Sequence, residues 1–330
     1  MIFKRFSVVL LMGLWGFTAV ACTSSGSPTE PEEMVKISLP MGYIPDPQYA
    51  PFYVAVDKGY FAEEGLELDF DYSFETDGMA LVGANERPFA IVSGEQVILA
   101  RAQGVPVVYV LEWFQKNPIA LISKKGANIQ TPQDLAGRNV GLPGFFGASY
   151  IGYLGLLAAN DIQPNSVNAN DIGFTQVESL LTDKAEAVVG YANNEPTQLT
   201  SLGEDVHVLY VADYIDMVAN GIITNETVIA ENPELVQRFV RATLRGLADT
   251  LADPDGAYEI SKKFVEGLDD DRKPVLQASL EMWQADKLGE TTADSWQQTQ
   301  DVLLGAGILD APVENLEAAF TNEFIEQAQP

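Results

Sequence analysis

The stretch QYAPFYVAVDKGYFAEEGLELDFDY, residues 48–72, holds the pattern on which the chain is built. A helix-length segment, 48–58, runs through two glycines into LELDFDY (66–72), which alternates like a strand. The same exchange continues outward in both directions. VKISLP (35–40) precedes it. FAIVS (89–93), VPVVYVLEW (105–113), IALIS (119–123), RNVGL (138–142), AEAVVGY (185–191), VHVLYV (206–211) and NGIITN (220–225) follow, each reading as a strand. Helix-length segments fall between them at 78–84, 95–103, 149–160, 176–182 and 194–202. TPQDLAG (131–137) reads as a short capped helix, with Thr131 as N-cap, Pro132 at the first position and Gly137 as terminator. Such regular alternation predicts an α/β protein whose largely parallel sheets carry helices on both faces. After Thr224 strands largely cease. NPELVQRFVRATLRGLADTL (232–251) is an amphipathic helix starting at Asn232–Pro233, and DPDGAYEISKKFVEG (253–267) begins another.

The N-terminus, MIFKRFSVVLLMGLWGFTAVAC (1–22), has Lys4 and Arg5, an apolar run from Phe6 to Phe17, and small residues before Cys22. That is the layout of a signal peptide (1–21) rather than of a membrane span. Cys22, the only cysteine, stands where a bacterial lipoprotein would be cut and lipidated. The expectation is a protein held by a lipid at the outer face of the cell membrane, extracytoplasmic, through a small-residue tether at 22–34. About 295 residues then remain, enough for two domains of ordinary size. Loss of the signal peptide removes two bases and no acids, leaving 17 Lys and Arg against 47 Asp and Glu, a formal charge of −30. Such a surface repels nucleic acid and excludes it as a partner. A strongly anionic ligand is disfavoured too, unless fixed cations lie in its site.

Enzymatic chemistry finds little footing. The single histidine, His207, sits in an apolar strand-like run and reads as structural. No His, Cys and carboxylate cluster has metal-ligand spacing, and no nucleophile-elbow or P-loop motif occurs, so neither a cofactor nor a metal is expected. GLPGFFGAS (141–149) has the glycines of a phosphate cradle but no lysine. In open α/β sheets the ligand crevice lies at the carboxyl ends of the strands. That rule points to the loops 41–49, 93–96, 113–117, 144–149 and 191–195. They are rich in aromatic and neutral polar residues, the chemistry that stacks on flat rings and fixes their orientation. The candidate ligand-binding residues are Tyr43, Gln48, Tyr49, Ser93, Glu95, Trp113, Phe145, Phe146, Ser149, Tyr191, Asn193 and Glu195. Of Phe145 and Phe146, one ring is expected to pack inward.

GYIPDPQYAPFYVAVDKGYFAEEGLEL (42–68), with its AVDKGYFAEEGL core, resembles the start of the substrate-binding proteins of ABC importers for thiamine pyrimidine precursors, riboflavin, nitrate and alkanesulfonates. FAIVSGEQVILARAQGVPVVYV, TPQDLAGRNVGLPG and VVGYANNEP extend the resemblance over residues 35–248. It implies a type II periplasmic-binding-protein fold, two α/β domains with a ligand cleft between them. The first would be residues 35–121 plus 224–330 and the second 122–223, closing by a hinge on the ligand. It also implies a monomer that delivers a small molecule to permease and ATPase subunits. Nitrate and sulfonate binders need cations, and the crevice loops offer only Lys116. The related pyrimidine-forming enzymes carry a cysteine-rich iron site and a reactive histidine that this sequence lacks. An enzyme acting on such a ring, or a sensor built on the binding fold, is therefore the remoter reading. The number of aromatics favours a tricyclic flavin, and the chain is most similar to the riboflavin-binding members. A thiamine pyrimidine precursor stays open as the alternative ligand.

Overall fold

The computed structural model describes residues 34–328; the expected signal peptide, Cys22 and all of the expected tether except Met34 lie outside the described residues. The chain starts with β1 (Val35–Gly42), α1 (Ala50–Asp57) and α2 (Tyr60–Glu63). Gly59 and Gly65 bracket α2 with φ of 79° and 71°, a left-handed turn of the backbone that side chains resist. These two glycines reverse the chain twice within seven residues and deliver it to β2 (Leu66–Phe74) beside β1. There follow α3 (Glu75–Gly83), β3 (Ala90–Ser93), α4 (Gly94–Ala102) and β4 (Val107–Glu112). The chain then passes directly to β5 (Ile119–Lys124) and on through β6 (Asn139–Leu142), α5 (Gly147–Ala159), β7 (Asn168–Asp171), α6 (Gln176–Leu181), β8 (Ala187–Tyr191), α7 (Glu195–Ser201) and β9 (Val206–Tyr210). It returns in β10 (Asn220–Asn225), and six helices complete it: α8 (Glu226–Glu231), α9 (Pro233–Ala252), α10 (Pro254–Ser261), α11 (Lys273–Trp283), α12 (Ala293–Gly305) and α13 (Glu323–Ala328).

β1 pairs with β2 and lies against β3, and β10 runs between β3 and β4. These strands form a two-stranded and a three-stranded sheet side by side, and a third, five-stranded sheet has the order β7-β6-β8-β5-β9. The expectation of largely parallel sheets is corrected here: four of the seven strand pairings are antiparallel, and all four involve β5 or β10. The reason is topological. Parallel neighbours need a crossover, usually a helix. β5 and β10 each arrive from another sheet by a direct link, so each enters pointing the other way. The two links, 113–118 and 211–219, are tied together. The Trp113 and Phe114 amides both donate to the Asn220 carbonyl, at 3.1 and 3.0 Å, and the Ala219 amide donates to Glu112 at 2.9 Å. β7 has no counterpart among the strands read from sequence, because NAND is a polar edge strand without apolar alternation.

The capped segment after Thr131 is a 3-10 turn, Pro132–Leu135, with Asp134 accepting from the Thr131 amide at 2.9 Å. The amphipathic helix starts where its cap stands: Asn232 Oδ1 accepts from the Leu235 amide at 3.1 Å. Phe239, Val240, Leu244 and Leu247 of α9 are buried, and the helix packs along α1. Among the described residues no helix is long and apolar enough to cross a membrane.

Candidate ligand-binding site

A cleft of about 1080 Å³ opens at the ends of strands of all three sheets. Its walls include the carboxyl ends of β1, β2, β4, β6 and β8 and the first turns of α3, α4, α5 and α7. Four helix starts thus border one space. Ten of the twelve sequence-derived residues line it: Tyr43, Gln48, Tyr49, Glu95, Trp113, Phe145, Phe146, Ser149, Tyr191 and Glu195. Ser93 and Asn193 are not among the lining residues. Ser93 is buried within the floor, and Asn193 is buried with its amide donating to Ser279 of α11 at 2.8 Å. His207 is also outside the lining, on β9, its Nε2 3.1 Å from the Gln130 carbonyl.

The aromatic residues divide into two sets. Tyr49 and Trp113 are buried and stacked on each other, centroids 5.4 Å apart at 27°, with Phe52, Phe114 and Trp283 around the indole. They show the cleft only a margin, although the Trp113 indole N–H has no partner. The second set is exposed. Phe145 and Phe146 retain 49% and 65% of their surface, which corrects the expectation that one of them packs inward. Phe146 lies instead over Gly144, where any Cβ would meet the ring at 2.3 Å, and Phe145 meets Tyr150 edge-on at 5.5 Å. Phe74 and Phe174, equally exposed, join them in the lining.

A continuous polar network forms the floor. The Tyr191 hydroxyl lies 3.3 Å from Asn220 Oδ1, and Asn220 Nδ2 donates to Glu75 Oε1 at 2.8 Å. Glu75 Oε2 accepts from the Ser93 amide at 3.2 Å and from the Gln96 side-chain amide. Ser93 Oγ lies 2.8 Å from Glu75 Oε2 and 2.6 Å from Glu95 Oε1. Burial, then the nearby Glu75 charge, pushes Glu95 up to about 8, while burial raises Glu75 against the donors that favour its charge. Glu195, at the start of α7, accepts from the Tyr191 amide at 2.7 Å; burial pushes it up to about 7.

Among the described residues lining the cleft there is no Lys, Arg or His. Lys116 is not part of the lining. Arg272 stands at the rim, where its guanidinium pairs with buried Asp46 and donates to Asn194 Oδ1 at 3.2 Å. Burial raises Asp46, opposed by that guanidinium.

Phe74, Glu75, Phe174, Gln176 and Asn220 belong to the lining but not to the sequence-derived set. Phe74 ends β2 and Glu75 follows it, so the strand-end rule reaches them once that strand end is included. Asn220 escapes the rule altogether. It stands at the start of β10, which points the opposite way and brings its amino end to the cleft.

Residues 46–257 match the family described as NMT1/THI5 like. The chain is 43% identical over 319 residues to the riboflavin-binding protein RibY of Chloroflexus aurantiacus, covering 93% of this chain and 91% of that protein. It is 28% identical to the formylaminopyrimidine-binding protein of Halalkalibacterium halodurans, covering 94% of this chain and 96% of that one. Among solved structures it is similar to the periplasmic aliphatic sulphonate binding protein SsuA from Escherichia coli, with a TM-score of 0.73 at 13% identity over 88% of this chain and 98% of that one. The fold is that of the periplasmic binding proteins.

Proposed function

Since the chain belongs to the NMT1/THI5-like family, we propose that it is the extracytoplasmic substrate-binding protein of an ABC importer and that it captures riboflavin. The observation that carries this reading is the cleft: roomy, walled by exposed phenylalanines, floored by carboxyl and amide groups, and lined by no cation among the described residues. A flat uncharged ring system meets these conditions together. Its faces stack on Phe145, Phe146 and Phe174, each ring contact contributing about 0.5–1.5 kcal/mol beyond burial. Its uracil-like edge lies along Glu75, Gln96 and Asn220, and its ribityl hydroxyls reach Gln48, Ser149 and Glu195. A phosphorylated flavin would bring dianionic charge to a wall that holds only acids. At about 1080 Å³ the cleft lies just above the about 300–1,000 Å³ usual for ligand pockets, room that a tricyclic ring uses and a single pyrimidine does not.

In this reading residues 35–121 with 224–330 form one lobe and 122–223 the other. They close on the ligand about the two links at 113–118 and 211–219. Cys22, lipidated, holds the monomer at the outer face of the membrane, where it meets permease and ATPase subunits. The test is a titration of the purified protein lacking residues 1–22 with riboflavin, following quenching of flavin fluorescence. Saturable quenching at micromolar ligand is expected; its absence, with no thermal shift, overturns riboflavin as the ligand.

The 28% identical relative named for formylaminopyrimidine binding favours a second reading, a thiamine pyrimidine precursor carried by the same kind of importer. Competition separates the two: a pyrimidine that displaces riboflavin at equal concentration would make the smaller ring the ligand. An enzyme acting on either ring is set aside if the ligand is recovered chemically unchanged after prolonged incubation.

A further inference from the structure

The polar floor holds one hydroxyl between two carboxyl groups, and a hydroxyl has one proton. Ser93 Oγ is within hydrogen-bond distance of Glu75 Oε2 and of Glu95 Oε1, and it can donate to only one of them. At 2.6 Å the other contact also needs a proton, which must come from the carboxyl side. We infer that Glu75, Ser93 and Glu95 form a relay holding one extra proton on Glu95, and that Glu75, left charged, is the acceptor that selects a ligand ring edge bearing an N–H donor.

The neighbours decide which acid carries the proton. Glu75 receives donors from the Ser93 amide, the Gln96 amide and the Asn220 amide, all of which favour a carboxylate. Glu95 has fewer donors, only the Ser93 hydroxyl and its own backbone amide, and it is 3% exposed. With the proton on Glu95, every contact at Ser93 is satisfied. Oγ donates to Glu75, accepts from Glu95, and accepts from Gln96 Nε2 at 3.2 Å. With the roles exchanged, Glu75 Oε2 would have to donate to Ser93 while accepting from two amides, more than a carboxylic hydroxyl accommodates. The titratable groups facing the pair are Tyr109 on β4, Tyr191 on β8 and Tyr49. Each is itself raised by burial and by these acids, so none supplies positive charge. Burial and the Glu75 charge raise Glu95 in the same sense.

The consequence for recognition rests on the riboflavin reading. Riboflavin presents an imide N–H flanked by two carbonyls. Glu75 Oε1, bonded once by Asn220, has lone-pair capacity for that N–H, while the second N–H of Asn220 Nδ2 is a donor of the kind the carbonyls need.

Two measurements test this. Infrared spectra of the ligand-free protein at pH 7 report the C=O stretch of protonated carboxyls. The expected result is that Glu95→Gln removes part of that band, while Ser93→Ala shifts the same component to higher frequency by removing its acceptor. A band unchanged by both variants overturns the relay, and the second variant answers if the first fails to fold. In the other arm, wild type should bind riboflavin at least about tenfold tighter than riboflavin methylated at the imide nitrogen, the size of a charge-assisted hydrogen bond. Glu75→Gln should shrink that preference toward unity. Preference retained in Glu75→Gln overturns the role of Glu75. The infrared arm needs no ligand, so its failure strikes the relay alone. Failure of riboflavin to bind, with the band behaving as stated, strikes the riboflavin reading and the N–H contact but not the shared proton.

Discussion

Trp113 and Phe146 stand in equivalent places, one just past β4 and one just past β6, yet the first is 3% exposed and the second 65%. The strand-end rule finds both loops because the chain must turn there. What it cannot tell is what stands behind each ring. Behind Trp113 lies α11, which brings Trp283 to within 5.8 Å of the indole and accepts from the Gln115 and Lys116 amides through the Met282 carbonyl. Phe145 and Phe146 lack such cover and keep 49% and 65% of their surface. One aromatic loop therefore belongs to the core and the other to the cleft, and the two should fail differently when changed.

The largest effect is expected at the buried loop. Trp113→Ala should destabilise the protein by about 3–5 kcal/mol, the usual range for truncating a large buried ring. Phe146→Ala should stay within about 0.5 kcal/mol, as exposed substitutions do. Urea denaturation of the two variants compares them directly, and similar losses would erase the distinction.

The polar floor should respond to pH where the exposed rim does not. Glu95 is pushed up to about 8, and Glu112 and Glu195 to about 7, chiefly by burial. A carboxyl raised on folding binds more protons in the native state than in the unfolded one. Its stabilising contribution is full below the unfolded value, about 4.3, and is lost as pH rises toward the folded value. The melting temperature should therefore fall between about pH 5 and 8. Asp134, Glu186, Asp249 and Asp270, held below the ordinary range by hydrogen bonds, act in the opposite sense but at lower pH. Thermal melts across that window should show a shallower fall for Glu95→Gln than for the wild type. A melting temperature that rises with pH would contradict the buried protonated acids.

These differences mark how far the sequence can be read. Strand and helix identities were legible because apolar periodicity and glycine or Asn-Pro punctuation are local: Gly59, Gly65 and Asn232 act within a few residues of where they stand. Strand direction was not, because it depends on the direct links that reverse β5 and β10 relative to their neighbours. The same reversal hides Asn220. Asn193 illustrates the converse: it follows β8 as the rule requires, but Ser279, eighty-six positions later, takes its amide away from the cleft. Loop position is local information, whereas side-chain direction is settled by distant packing.

At the rim, truncation should cost binding rather than folding. Phe145→Ala and Phe146→Ala should each weaken riboflavin binding by about 0.5–1.5 kcal/mol, a few-fold in Kd, with unfolding midpoints unchanged. Flavin quenching titrations read the affinity and urea melts the stability. Loss of stability without loss of affinity would return these rings to the structural class of Trp113.

The finest distinction lies within one ring. Phe146 can hold a flat ligand through buried area alone or through the oriented contact between two π-systems, and Phe146→Leu separates these. Leucine restores most of the apolar area that alanine lacks but has no ring quadrupole. If the ring stacks, Phe146→Leu should recover only part of the alanine loss and leave a deficit of about 0.5 kcal/mol, roughly a twofold weaker Kd. Full recovery in the leucine variant would make Phe146 a greasy wall. The difference between the two cleft loops would then be one of exposure, without any preference for aromatic ligands on the exposed side.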